Sequence, residues 1–182
     1  MNKQLLNPRF IMITLMVLVA AALRLLPHYP NFTPIAGMAL FGGGYFSNKK
    51  TAFIIPFTAM FISDIILGFH STMWAVYLSF ALIVIIGFSL RSSKKTSNIF
   101  LASISSSVLF FIITNFGVWL TAGIYPVSIN GLTECYIAAI PFFNNSMLGD
   151  LFYVTIFFGA FELAQSKFSA LTKGRLSLEE TI

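Results

Sequence analysis

Residues 99–121 read IFLASISSSVLFFIITNFGVWLT, a run that contains no charged side chain. An α-helix needs about 20 predominantly apolar residues to cross the hydrocarbon core of a bilayer, so this run predicts a membrane-spanning helix. Five further apolar runs, bounded by Pro, Gly, Asn, Ser or basic residues, lie at residues 10–26, 34–46, 52–68, 74–90 and 147–165. The predicted fold is therefore an all-α integral membrane protein, a bundle of six transmembrane helices.

The composition excludes an ordinary soluble domain. Of the 182 residues, 57% are hydrophobic and only 9% are charged, and the mean hydropathy is +0.86. Water-soluble domains carry about 25% charged residues, so the lipid bilayer is the expected surrounding of this chain. We predict a single membrane domain over residues 1–182, with a polar cytoplasmic tail at 166–182. The net charge of +5 is attributed to membrane topology, and no nucleic-acid partner is expected.

The basic residues predict the orientation. Ten of the eleven Lys and Arg residues lie in four groups, at positions 3 and 9, 49 and 50, 91 with 94 and 95, and 167 with 173 and 175. Six crossings put all four groups on one side, which the positive-inside rule makes the cytoplasm, so both termini are expected there. The second run gives only about 20 Å of helix, so it is expected to cross where protein lines it or the bilayer is thin. An alternative takes the N-terminus as a signal peptide cleaved near residues 20–22, which would leave five spans.

Unusual polar side chains gather near the outer ends of the predicted helices. Arg24, Asp64, Asn115 and Asp150 lie in four different helices at about one depth. A lone charge at the bilayer centre costs about 2.5–3.5 kcal/mol, so these side chains are expected to face inward and to have partners. We predict that they form the polar floor of a ligand pocket open to the outer side. The alternative is a buried ion pair of Arg24 with either aspartate that only fixes the register of the helices.

Two further sets of residues complete the predicted pocket. His28 and His70 are placed at its rim, although both could instead be ordinary interfacial side chains. The outer segment 122–146 is predicted to act as a lid, with a short amphipathic helix over residues 131–140 that ends at Pro141. The ligand-binding residues assigned to this lid are Glu134 and Tyr136.

The sequence lacks the motifs of an enzyme or a metal site. It contains no His-Glu-x-x-His, no Gly-x-Ser-x-Gly and no Cys-x-x-Cys. Its single cysteine, Cys135, excludes an internal disulfide and is more typical of an inert apolar side chain. Asp64 and Asp150 could form an intramembrane aspartyl pair, but no supporting motif accompanies them. We therefore expect a binding protein that is not an enzyme and that holds no cofactor and no metal.

Five strings along the chain resemble an uncharacterised family of small bacterial membrane proteins. They are LLPHYPNFTP at 25–34, ALFGG at 39–43, SDIILGFH at 63–70, TNFG at 114–117 and LGDLF at 148–152. In size, six-helix layout and outer pocket, this family is similar to the substrate-binding S components of energy-coupling-factor (ECF) vitamin transporters. The likeness implies a receptor in the bacterial inner (cytoplasmic) membrane that captures a micronutrient at its outer face. It also implies docking on an ECF coupling module with two ATPases, on which the receptor topples to present its ligand inward.

The chain departs from the S components that share a coupling module. Many of those proteins carry Ala-x-x-x-Ala in the first helix for docking, whereas here no alanine of residues 20–22 is followed by another four positions later. The solitary S components, among them the cobalamin transporters, are therefore the closer analogy. That resemblance assigns His28 and Asp64 to the pocket. The cysteine that cobalamin proteins place near the start of the fourth span is missing, so His70 or Cys135 would have to replace it.

The sequence thus predicts a membrane-embedded, substrate-binding subunit of a micronutrient transporter, with a vitamin-like ligand of which cobalamin is one candidate. Arg24 against Asp64, Glu134 and Asp150 gives the outer half a net charge of −2 (+1 − 3), which favours a neutral or cationic ligand. Asp64→Asn is then expected to abolish binding and to leave the bundle folded. The rival class is a non-transport scaffold subunit of a cell-envelope assembly, whose small-residue faces would serve partner binding or self-association.

Overall fold

The structure is a computed structural model that describes residues 7–27 and 29–172. In these ranges the chain forms six α-helices and no strand: α1 (Pro8–Leu23), α2 (Ile35–Tyr45), α3 (Lys49–Leu67), α4 (Met73–Ser89), α5 (Thr96–Thr121) and α6 (Ile129–Lys167). A single helical turn follows at 169–172. The predicted all-α class is confirmed. His28, the basic residues at 3, 173 and 175, and the end of the predicted tail from 173 onward lie outside the described residues.

The first five predicted runs coincide with helices to within a few residues, and two of these helices, α1 and α3, begin at an asparagine cap. The Asn7 side chain accepts from the backbone N–H of Arg9 at 2.9 Å and begins α1. The Asn48 side chain likewise accepts from the N–H of Lys50 at 2.7 Å and begins α3. Gly68, with φ +93°, follows the last residue of α3, in a backbone conformation that favours glycine.

The sixth helix differs from its prediction. α6 continues without interruption through Pro141, so the separate lid helix ending at this proline is wrong. A proline inside a helix costs about 3 kcal/mol, because it removes one hydrogen bond and its ring crowds the preceding turn. Packing against α5 offsets this cost: the Tyr136 hydroxyl donates to the Ile112 carbonyl at 2.6 Å, and the rings of Phe143 and Phe111 lie 4.8 Å apart. The segment assigned to a lid is therefore a wall of the bundle.

Helix α2 lies at the centre of the bundle. All eleven of its residues are buried, and it packs mainly against α4 and α6. It crosses α4 at Gly43 and Gly87: a Cβ atom on Gly43 would lie 2.3 Å from the Val84 carbonyl oxygen and 2.9 Å from the Gly87 Cα. Only residues without a side chain allow two helix backbones to approach so closely. The close crossing at Gly43 and Gly87 therefore serves packing within the chain.

Arg91, in the turn after α4, satisfies carbonyl groups at the C-terminal end of α2. Its Nε donates to the Gly43 carbonyl at 2.9 Å and its Nη2 to the Phe46 carbonyl at 2.7 Å. The last carbonyls of a helix have no donors within the helix, and a positive charge there interacts favourably with the helix dipole. The guanidinium also lies over the Phe88 ring, 4.3 Å from its centroid. Arg91 thus joins the end of α2 to the end of α4.

The exterior of the bundle is apolar along the helices. α3, α5 and α6 are each long and apolar enough to cross a membrane, and α1, α2 and α4 are shorter apolar helices. Large side chains such as Ile54, Ile66 and Leu101 are more than half exposed. Soluble monomers rarely expose apolar patches of this extent. The protein is therefore a helix bundle with the surface of a membrane protein.

Candidate functional site

A cavity of about 310 Å³ lies toward the end of the bundle where α1, α3 and α5 end and the other three helices begin, here called the cavity end. Among the described residues, its polar lining consists of Arg24, Asn31, Thr33, His70, Thr114, Asn115, Ser146 and Asp150. The apolar lining includes four phenyl rings, those of Phe110, Phe111, Phe142 and Phe143. Helices α5 and α6 supply half of the polar set and all four rings. A concave, mixed surface of this kind is typical of small-molecule sites.

Arg24, the residue that follows α1, forms an ion pair with Asp64 of α3. The distance from Arg24 Nη2 to Asp64 Oδ1 is 2.6 Å, and the two side chains are 9% and 7% exposed. Arg24 also donates to the Ser63 hydroxyl, and the second carboxylate oxygen of Asp64 accepts from the Tyr77 hydroxyl at 2.7 Å. Asp64 does not line the cavity. The structure therefore pairs Arg24 with Asp64 and leaves Asp150 without this cation.

Asp150 of α6 is a buried carboxyl group that borders the cavity. It is 6% exposed, and the Ser107 hydroxyl donates to its Oδ2 at 2.6 Å. The same hydroxyl lies 3.1 Å from the Ser103 carbonyl, so its one hydrogen is shared between two acceptors. Between residues that the structure describes, the only ion pair is Arg24–Asp64, so Asp150 has no cationic partner there. A buried carboxylate with one hydrogen bond is an unfavourable arrangement that a bound positive group would relieve.

Three neighbouring polar side chains present acceptor atoms to the cavity. The hydroxyls of Thr114 and Ser146 donate to the carbonyls four residues earlier, at 2.7 and 3.2 Å. The Asn115 amide nitrogen likewise donates to the Phe111 carbonyl at 2.8 Å. Because the helix backbones take up both hydroxyl hydrogens, the oxygens of Thr114 and Ser146 remain as acceptors, and the Asn115 amide keeps its oxygen and one N–H. The polar lining contributed by α5 and α6 is thus rich in acceptors.

The other predicted site residues lie in different places. His70 lines the cavity, and its Nδ1 is 2.8 Å from the Thr72 hydroxyl oxygen. Tyr136 lines an open groove on the outer surface of α5 and α6, and its hydroxyl is bonded to the backbone of α5. Glu134 is exposed and lines neither the cavity nor that groove. The structure therefore brings together Arg24, His70, Asn115 and Asp150, and it does not bring Glu134 or Tyr136 to the same cavity.

The wall that α6 contributes to the cavity was not among the predicted site residues, apart from Asp150. Ala139, Phe142, Phe143 and Ser146 line the cavity together with Asp150. Their spacing of three and four residues marks one face of a helix, and that pattern continues through Pro141. Treating the proline as a helix end hid this periodicity. The pattern itself was the signal that could have identified the wall.

The arrangement is suited to binding. In the described part of the chain, no three His, Cys, Asp or Glu side chains are grouped closely enough to hold a metal ion. Cys135 is buried, and its thiol donates to the Asn115 carbonyl at 3.4 Å. The side chains at the cavity offer one uncompensated carboxyl, several neutral acceptors and aromatic faces. These groups can select a small molecule by its shape and by its hydrogen-bond donors.

The chain matches a protein family, and that family has no assigned activity. No curated protein matches the chain, and no solved structure matches it. Residues 4–171 match DUF6580, a family of unknown function, and because the match covers nearly the whole sequence, the chain belongs to that family.

Proposed function

We propose that this protein is the membrane-embedded, substrate-binding subunit of a micronutrient transporter and captures its ligand at the outer face of the bacterial inner membrane. The observation that carries the proposal is the cavity of about 310 Å³ at the cavity end. Its volume lies within the range of roughly 300–1,000 Å³ that is usual for small-molecule sites. Polar residues in a membrane bundle are costly, so a set of them around one cavity favours a function for that cavity.

The proposed topology has six crossings, with both termini in the cytoplasm. The basic residues of the described helix ends, such as Lys49, Arg91 and Lys167, lie at the end opposite to the cavity, as expected of the cytoplasmic side. Arg24 is the exception at the cavity end, and Asp64 neutralises it. The length of α2, about 17 Å for its eleven residues, is compatible with a crossing because protein surrounds every residue.

The likeness to ECF S components supplies the proposed mode of action. In this proposal the cavity binds a vitamin-like ligand from outside, and the receptor passes it inward with an ECF coupling module or as a self-associated unit. The support is the small six-helix bundle together with a cavity at one end. The Ala-x-x-x-Ala docking pattern is absent from α1, which favours the solitary type over the shared module.

The test is to identify the small molecule that co-purifies with the protein in mild detergent, by mass spectrometry and a visible absorption spectrum. Ala139 lines the cavity and the neighbouring Ala138 is exposed, so Ala139→Phe should remove the ligand and Ala138→Phe should retain it. A stoichiometric metabolite that shows this difference supports the proposal. A chain that stays empty in every preparation, and binds none of a set of added vitamins, would contradict it.

A second candidate is a scaffold subunit of a cell-envelope assembly. The observation that favours it is the Arg24–Asp64 pair, whose bonds to Ser63 and Tyr77 are all internal, as in a device that only fixes helix register. If the protein is a scaffold, no ligand should co-purify with the Ala139→Phe or the Ala138→Phe protein. It also predicts that apolar replacement of both charges leaves the cellular role intact, whereas a receptor with Arg24 at its cavity should lose affinity.

A further inference from the structure

We infer that the cavity takes an organic cation, a molecule with an ammonium-type group that pairs with Asp150 and an apolar body that packs on the phenyl rings. This inference rests on the proposed function, because it names the class of ligand for the same cavity. Three features of the lining support it: its formal charge, its acceptor oxygens and its aromatic faces.

The charge of the lining is negative. Arg24 contributes +1 and Asp64, bonded to it at 2.6 Å, contributes −1, so the pair is neutral as a unit. With Asp150 counted as a carboxylate and histidine left out of the count, the formal net charge of the described residues at the cavity is −1. Asp150 is 6% exposed and has one hydrogen bond, from Ser107. A ligand cation would provide the counter-charge that the described chain does not.

The neutral polar groups favour the same ligand. Thr114 and Ser146 direct their only hydroxyl hydrogens to helix carbonyls and retain their oxygens as acceptors, and Asn115 retains its amide oxygen together with one N–H. An ammonium group carries up to three donors and no acceptor, so it is complementary to this lining. An anion would meet the Asp150 carboxylate and these oxygens, and the guanidinium of Arg24 is already engaged by Asp64. The described lining therefore disfavours an anionic ligand.

The apolar part of the cavity favours an organic cation over a metal ion. The rings of Phe110, Phe111, Phe142 and Phe143 line it, and an organic cation is attracted to the faces of such rings. Metal sites in proteins are usually built from several charged or imidazole ligands, and in the described residues no three His, Cys, Asp or Glu side chains are grouped closely enough to hold a metal ion. A cavity of about 310 Å³ also leaves room for an apolar body beside the charged group.

The experiment compares three probes of nearly equal shape: phenethylammonium, 2-phenylethanol and phenylacetate. Their binding to the purified, ligand-stripped protein is measured by equilibrium dialysis at neutral pH, with Ala139→Phe protein as the background for uptake by the micelle. We expect phenethylammonium to bind at least about tenfold more tightly than 2-phenylethanol, because hydrogen bonds to charged groups are the stronger kind. Phenylacetate should bind most weakly.

Asp150→Asn tests the assigned residue. It keeps the shape of the side chain and removes its charge, so the cation and the alcohol should then bind about equally. The matched control is Glu162→Gln, the same change in the same helix at the opposite end, which should keep the preference for the cation. If Asp150→Asn protein does not fold, the ranking of the three probes by the wild-type protein still decides the question.

Several results would overturn the inference. Equal binding of the three probes, tightest binding of phenylacetate, no binding of the cation, or a cation preference that survives in Asp150→Asn would each do so. None of these results bears on whether a metabolite co-purifies with the wild-type chain and is lost in Ala139→Phe. The experiments can therefore contradict the inference that the ligand is an organic cation without contradicting the proposed receptor function.

Discussion

The Arg24 guanidinium and the Asp64 carboxylate form a buried ion pair, with Nη2 and Oδ1 2.6 Å apart, that ties three helices together. Arg24 follows α1, Asp64 lies in α3, and Tyr77 of α4 donates to the second carboxylate oxygen at 2.7 Å. The carboxylate therefore uses both oxygens within the protein. Because Asp64 does not line the cavity, its position favours a structural role over direct contact with a ligand.

We predict that Asp64→Asn destabilises the fold. Removing one member of a buried pair leaves the other charge uncompensated, and the expected loss in the free energy of unfolding is about 3–5 kcal/mol. The sequence-based expectation was lost binding with a folded bundle, so unfolding in mixed micelles distinguishes the two interpretations. Arg24→Met combined with Asp64→Leu should recover much of the loss, because an apolar pair has no desolvation penalty. A single variant as stable as the wild type would refute this role.

We also predict that the crossing of α2 and α4 does not tolerate a methyl group. In Gly43→Ala or Gly87→Ala the new Cβ would lie within 3 Å of the backbone of the other helix, so the helices must separate. The expected loss is about 1–3 kcal/mol in the free energy of unfolding, measured as above. Gly159→Ala is the matched control: its Cβ meets nothing within 4 Å, and alanine raises helix propensity there. Equal stability of the three variants would contradict the close crossing.

A third prediction concerns the end of α2. Arg91→Met removes the donors to the Gly43 and Phe46 carbonyls and should lower the free energy of unfolding by about 1–3 kcal/mol. Arg91→Lys should recover only part of this, because an ammonium lacks the planar set of donors that reaches both carbonyls. Full recovery by lysine would show that the charge near the helix end matters and the hydrogen bonds do not.

The sequence was sufficient for the number and class of the helices and insufficient for their contacts. Long apolar runs without charges identify helices, because each must bury its own backbone polar groups. The predicted helix end at Pro141 was wrong, because packing of α6 on α5 outweighs the local helix-breaking preference of proline. Local propensity is a weak guide wherever tertiary contacts are this extensive.

For the candidate site as well, the sequence indicated which residues lie near one another and did not indicate which of them are in contact. The similar depth of Arg24, Asn115 and Asp150 along their helices predicted that they lie close together, and all three line one cavity. Depth alone does not give the rotation of each helix, so it could not choose between Asp64 and Asp150 as the partner of Arg24. That choice depends on how α1 packs against α3, which a single sequence does not specify.

The last prediction tests the topology around α2, the shortest helix. Single cysteines are introduced in a Cys135→Ala background at Tyr29 and Lys50, exposed residues on either side of α2, and at Val127 after α5. In spheroplasts, a membrane-impermeant maleimide should label Tyr29→Cys and Val127→Cys, and it should label Lys50→Cys only after permeabilisation. The reason is that six crossings place the basic helix ends inside. Labelling of both Tyr29→Cys and Lys50→Cys from outside would mean that α2 turns back without crossing, and the count of spans would fall to five.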